Sequence, residues 1–277
     1  NVLGGCYGSI GPTSAHPADG EPYRLRFPQI TVGDMVRAQR ALLATLGIAR
    51  LVVVAGGSLG GLQALEWALA YPDAVDRALV IGAALRLNTQ GLAVDEIARQ
   101  AIMADPRWQG GEYPVGAGPE RGLALARMLA MLTYTSAEGL EARFGRRAAT
   151  RPSAWQAFGP RLDVQTYLHH QGEKLTRRFD ANTYLYLSSA MDRYDATAQR
   201  GGEREALARI RAQVLAVGMR TDWLYPAAQV KALAQAITAS GGRASYAELD
   251  SPEGHDAFLK EWQQMDALLR PFLNEQR

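Results

Sequence analysis

Leu51-Val52-Val53-Val54-Ala55-Gly56-Gly57-Ser58-Leu59-Gly60-Gly61 is the stretch whose reading decides the fold. An apolar run with three consecutive valines predicts a buried β-strand. It passes straight into Gly-x-Ser-x-Gly, after which Leu62, Leu65, Trp67 and Leu69 recur at helical spacing. Strand, tight glycine-flanked turn and helix are the context of a nucleophile elbow. So sharp a turn needs residues that tolerate backbone strain and close approach. The serine hydroxyl is then held at the carboxyl edge of a sheet and the amino end of a helix. Gly-x-Ser-x-Gly alone also fits a glycine-rich turn with a solvated serine. The strand before it and the helix after it favour the nucleophile.

A serine nucleophile needs a base, and the base needs an orienting carboxylate. The chain has four histidines, His16, His169, His170 and His255. His16 lies in a Pro/Gly-rich loop, and His169 and His170 lie in a helical, Arg-rich segment. His255 follows the strand-like Ala244–Leu249, in the loop Ser251-Pro252-Glu253-Gly254-His255-Asp256. Asp222 follows the apolar strand Val214–Gly218, and Pro226 then opens a helix. The order Ser58, Asp222, His255 places each member after a strand, in the chain order of a strand–turn–helix nucleophile with its partners.

Composition bounds the alternatives. The chain has 277 residues, 47% hydrophobic and 21% charged, enough for one large α/β domain or a core with an insertion. A net charge of +2 with mixed signs implies no nucleic-acid partner. No run of 18 apolar residues predicts a membrane span. One cysteine, Cys6, excludes an internal disulfide and fits a reducing, cytoplasmic compartment. No strand–turn–helix follows Cys6, so it reads as a small loop residue. No Cys/His cluster has metal spacing, and adjacent His169 and His170 point to different sides of a helix.

Residues 1–30 are rich in Gly and Pro and read as loop, without the Gly-Lys-Ser/Thr ending of a phosphate loop. Thr31 is a predicted helix cap with Asp34 three residues on. Val32, Met35, Val36, Leu43 and Leu46 give that helix its expected apolar face, and Gly47 ends it. The elbow, its helix to Tyr71 and a further strand, Ala78–Gly82, follow. Strands alternating with helices predict a parallel sheet. From Leu85 to Arg200 the strand signals stop. Leu123, Ala126, Arg127, Ala130, Met131 and Tyr134 recur at helical intervals, as do Val164, Tyr167, Leu168 and Gln171, then Tyr184, Leu187, Met191 and Tyr194. The expected organisation is a core over 1–84, an inserted helical lid over 85–200 and the rest of the core over 201–277. A lid would cover the serine; a packing subdomain is the plainer alternative.

Longer motifs carry a family resemblance. They are Asn1-Val2-Leu3-Gly4-Gly5-Cys6-Tyr7-Gly8-Ser9, Phe27-Pro28, Asp34-Met35-Val36, Gly56 to Trp67 with Gln63, Arg99-Gln100-Ala101-Ile102, Asp105-Pro106, Ala126-Arg127-Met128, Arg177-Arg178-Phe179-Asp180-Ala181-Asn182, Ala190-Met191-Asp192, and Gly254-His255-Asp256-Ala257-Phe258-Leu259. From end to end the chain resembles the homoserine O-acetyltransferases, α/β-hydrolase-fold acyltransferases of methionine biosynthesis. The resemblance implies a mostly parallel sheet with helices on both faces. It implies Ser58 as nucleophile, Asp222 and His255 as its partners, and the Leu59 backbone N–H as an oxyanion donor. It also implies Arg127 and Asp256 as substrate contacts. A zwitterionic amino acid suits that pair, its carboxylate meeting a guanidinium and its ammonium a carboxylate. Acetyl-CoA is then a co-substrate, with no permanently bound cofactor, and a homodimer through the lid helices is expected.

The chain departs from the family at Leu59, where Met is usual, and at Thr135, where Arg is usual. Leu for Met conserves volume, whereas Thr135 removes a charge near the expected lid entrance. The family also has several strands before the segment matching Asn1–Gly5, so a sheet of about four strands with an open edge is expected here. Succinyl transfer, serine as acceptor, plain hydrolysis and an inactive fragment are the alternatives. Trp223 and Leu224 after Asp222, where a succinyl donor would want an arginine, favour acetyl.

Overall fold

The computed structural model describes residues 1–149 and 161–274. Four strands occur among them: β1 (Leu51–Gly57), β2 (Val75–Ile81), β3 (Gln213–Met219) and β4 (Arg243–Leu249). The α-helices are α1 (Val32–Thr45), α2 (Leu59–Ala70), α3 (Thr89–Met103), α4 (Glu120–Tyr134), α5 (Ala137–Arg143), α6 (Asp163–Thr176), α7 (Ala181–Asp192), α8 (Glu203–Leu207), α9 (Ala227–Ala239), α10 (Ala257–Lys260) and α11 (Trp262–Asn274). The chain folds as two compact units. One takes Ile30–Thr89 and Ala190–Arg277, the other Asn1–Gln29 and Gln90–Ser189.

The first unit is a parallel sheet in the order β1-β2-β3-β4. The register pairs Gly57 with Ile81, Ile81 with Val217, and Met219 with Leu249. β1 and β2 thus end opposite Val217, and β3 and β4 run two residues further, so the loops that leave the four strands share one edge. Parallel neighbours need crossovers, supplied by α2 between β1 and β2 and by α9 between β3 and β4. Leu79, Ile81, Leu215, Val217 and Met219, alternate residues of β2 and β3, bury against Met265 and Phe272 of α11. The other face takes α9, whose first residue, Ala227, lies against Gly218. Helices cover both faces, as the family resemblance implies.

Two expectations in this unit need correction. β1 is a strand but not a buried one: among the described residues it has a strand neighbour on one side only, and Val52 is 61% exposed. Leu46 does not belong to the buried face of α1; it lies beyond the helix end and is 63% exposed, while Val32, Met35 and Val36 are buried. The start of α1 forms as read. The Asp34 N–H donates to the Thr31 hydroxyl at 3.1 Å, and the Thr31 N–H donates to the Asp34 carboxylate at 2.8 Å.

The second unit is helical, built from α4, α5, α6, α7 and most of α3. Its core joins Ala98, Ile102, Tyr113, Leu123, Ala126, Leu175 and Ala181. The first 29 residues, read from sequence with the sheet core, pack here instead. They have little regular structure of their own, so their carbonyls need partners. The Tyr186 hydroxyl of α7 donates to the Phe27 carbonyl at 2.6 Å, and Arg178 donates to the Tyr7 hydroxyl at 3.1 Å. Tyr194 goes the other way. It packs in the sheet unit with its hydroxyl 3.4 Å from Glu66 of α2. Burial, and then the neighbouring Glu66, push that phenol well above its ordinary range. Arg200 closes on the same buried carboxylate at 2.6 Å.

Candidate active site

Ser58 sits between β1 and α2 with φ 56° and ψ −122°, a left-handed conformation that costs a non-glycine residue of the order of 1–3 kcal/mol. The strain is held by what surrounds it. The Ser58 N–H donates to the Ile81 carbonyl at 2.9 Å, and its carbonyl accepts from Leu62 at 3.0 Å. At Gly56 a Cβ would collide with the Gly60 carbonyl. A serine at a helix start ordinarily caps the first turn with its hydroxyl; Ser58 makes no such bond. Leu59 is the first residue of α2, where helix N–H groups lack intrahelical partners.

Asp222 is 5% exposed and bound at both oxygens. Oδ1 accepts the N–H groups of Leu224 and Tyr225 at 2.9 and 3.0 Å. Oδ2 lies 2.7 Å from Nδ1 of His255. The Asn88 side chain donates to the Leu224 carbonyl at 2.7 Å and pins the same loop. His255 is 2% exposed, in a 3₁₀ turn, stacked on Tyr225 at 5.9 Å with Phe258 at its edge. A carboxylate accepts only, so Nδ1 donates in this pair, and in the uncharged tautomer Nε2 holds the lone pair.

The parallel register brings the serine and the histidine to a common neighbour. Gly57 pairs with Ile81, so Ser58 follows beside Gly82, the next residue of that chain. Gly82 has φ +51°, and a Cβ there would lie 3.0 Å from Cε1 of His255 and 2.7 Å from Met219. No side chain fits between β2 and the imidazole.

A chain of amides supports the elbow from behind. The Trp67 indole N–H donates to Oε1 of Gln39 at 2.7 Å. Nε2 of Gln39 donates to Oε1 of Gln63 at 2.6 Å, and Nε2 of Gln63 to the Leu59 carbonyl at 3.2 Å. Gln63 is buried.

Of the remaining sequence candidates, Asp256 directly follows His255, half-buried, and its carboxylate does not cap α10. Arg127 lies on α4 in the helical unit, its guanidinium 5.1 Å over the Tyr134 ring. Tyr184 faces the same group of charges. Burial, then Tyr134 and Asp95, raise its phenol above the ordinary range, against the opposing pull of Arg127 and Arg99. Sequence reading missed Tyr134 and Tyr184 as neighbours of Arg127. The seven-residue spacing of Arg127 and Tyr134, two helical turns, was the available signal. Thr135 is buried and donates to the Met131 carbonyl at 2.8 Å. Among the other histidines, His169 and His170 are exposed, and His16 accepts the Ala18 N–H at 3.2 Å.

A strained serine at a strand–helix turn and a buried carboxylate–imidazole pair on one sheet edge define an α/β-hydrolase-fold protein, and residues 1–261 match that family. Homoserine O-acetyltransferase of Symbiobacterium thermophilum is 52% identical over 99% of this chain and 72% of its own length. That of Moorella thermoacetica is 47% identical over 100% and 74%. The chain belongs to the homoserine O-acetyltransferase family. The crystal structure of homoserine O-acetyltransferase from Bacillus anthracis superposes with TM-score 0.89 at 27% identity, covering 97% of this chain and 72% of that one. Esterase E22 superposes with TM-score 0.86 at 29% identity, covering 96% and 73%.

Proposed function

We propose that this chain moves an acetyl group from acetyl-CoA to the hydroxyl of L-homoserine through an acetyl-Ser58 intermediate, a step of methionine biosynthesis. The observation that carries the chemistry is the buried 2.7 Å His255–Asp222 pair on the sheet edge of an uncapped, strained Ser58. Nε2 of His255 takes the Ser58 proton as the oxygen attacks the thioester carbonyl. The resulting oxyanion is stabilised by the Leu59 N–H at the head of α2. Collapse breaks the C–S bond, and the CoA thiolate leaves with the proton from His255. The homoserine hydroxyl then gives its proton to His255, attacks the acetyl ester, and restores Ser58 as the proton returns to it. Trp223 and Leu224, not a cation, follow Asp222, which favours an acetyl over an acidic donor.

Hydrolysis is the second reading, favoured by the likeness to esterase E22. Thiol release from acetyl-CoA, with and without homoserine, separates the two. Release that depends on homoserine supports transfer, and equal release without it supports hydrolysis.

Arg127 and Asp256 are the proposed partners of the acceptor's carboxylate and ammonium. Arg127→Ala is expected to slow the acceptor half-reaction while sparing acetyl-enzyme formation. Loss of a charge-assisted bidentate contact is worth roughly 1.5–3 kcal/mol, so about ten- to a hundredfold in the acceptor kcat/KM. Stopped-flow measurement of both half-reactions checks this; equal slowing of the two makes Arg127 structural. A homodimer through the helical unit belongs to the same reading. Leu125 and Leu132, two turns apart on α4, and Ile97 on α3 are exposed apolar side chains. Sedimentation equilibrium should give twice the chain mass, and a monomer at micromolar concentration would remove the dimer.

A further inference from the structure

We propose that Thr221 is a positioning residue: its hydroxyl fixes the loop of Asp222 against the loop of His255 and so sets the geometry of the pair. The inference rests on the triad reading for its kinetic consequence only. Thr221 immediately precedes Asp222, and Gly254 immediately precedes His255. The Thr221 hydroxyl donates to the Ser251 carbonyl at 2.8 Å and accepts the Gly254 N–H at 3.1 Å. One hydroxyl thus grips both ends of the Pro252–Glu253 turn, using its single proton and a lone pair. The Arg220–Asp250 ion pair also joins these loops, but it is exposed, where such pairs hold little. Ser251 and Asp250 are tied separately to Glu261 and Gln264. Those bonds set the loop's distance from the following helices, not from Asp222. Thr221 acts at the residue before each partner.

The pair it aligns has no room to adjust. His255 and Asp222 side chains are 2% and 0% exposed, and the ring is confined by Tyr225, Phe258 and Gly82. Without the hydroxyl, the Gly254 N–H and Ser251 carbonyl must find other partners, and the loop moves to meet them. A displacement of the base by about 1 Å is enough for up to a hundredfold in rate.

Thr221→Val keeps the shape and removes the hydroxyl; Thr221→Ser keeps the hydroxyl. Two readouts are compared in the purified chain: the far-downfield proton resonance of His255 Nδ1, and the rate of acetyl-enzyme formation from acetyl-CoA. Thr221→Val is expected to broaden or shift the resonance and to slow acetylation about ten- to a hundredfold, with the half-saturating acetyl-CoA concentration unchanged. Thr221→Ser is expected to restore both. Where Thr221→Val does not fold, Thr221→Ala removes the same hydroxyl. A hydroxyl-free variant with wild-type resonance and rate overturns the proposal, as does a serine variant as impaired as the valine one. If the resonance responds as stated but the wild type forms no acetyl-Ser58, the positioning role stands and the catalytic reading falls.

Discussion

Ser58→Ala is expected to abolish acetyl-enzyme formation while leaving the fold intact. Ordinarily, replacing a serine at a helix start removes a cap and costs about 1 kcal/mol. Here the hydroxyl makes no cap bond, so little native-state energy goes with it. The backbone strain at φ 56° remains, since alanine tolerates that region no better than serine. Turnover should fall on the order of a million-fold, the scale at which a triad nucleophile acts. Intact-mass spectrometry after acetyl-CoA treatment should show one added acetyl on the wild type and none on the variant, at matching thermal midpoints. Equal labelling of both proteins would remove Ser58 from the mechanism.

Asp222→Asn is expected to cost on the order of ten-thousand-fold, through the histidine's tautomer. The Leu224 and Tyr225 N–H groups demand an acceptor at Oδ1. An asparagine must therefore keep its oxygen there and turn its NH2 toward His255. Nδ1 then has to accept, which moves the ring proton to Nε2. The atom that should take the serine proton is already protonated. The fold survives, because the Leu224 and Tyr225 N–H groups keep their acceptor and Nδ1 of His255 keeps a partner. Acetyl-enzyme formation in rapid-quench measurements reads the loss. A loss below about tenfold would move the orienting role to another carboxylate, with Asp250 the first candidate.

Sequence reading reached the features written in local pattern. The valine run, the glycines around Ser58 and the apolar periods of α4, α6 and α7 each depend on residues within a few positions of one another. The chain order of Ser58, Asp222 and His255 needed only the strand before each. What escaped it depends on partners distant in the chain. The apolar character of Val52 and Leu46 promised burial, yet burial is decided by which elements arrive to cover a side chain, and among the described residues none covers these two. The grouping of residues 1–29 rests on partners far along the chain, such as the Tyr186 hydroxyl on the Phe27 carbonyl 159 positions away. Gly82 looks like any strand-ending glycine until His255 lies against it. Thr221 makes its bonds across 30 and 33 positions, and no periodicity announces them.

The row of amides behind the elbow has a single permitted proton order. An indole can only donate, so Gln39 must turn its oxygen to Trp67 and its NH2 to Gln63. Gln63 must in turn aim its own NH2 at Leu59. Reversing either amide would set donor against donor inside the protein. The two side-chain dipoles are thus aligned in series, positive end toward the first turn of α2, and each polarises the next. They add to the field of the helix terminus beside Ser58. That field is frozen in by one tryptophan, and under the proposed mechanism it needs no reorientation when negative charge develops there.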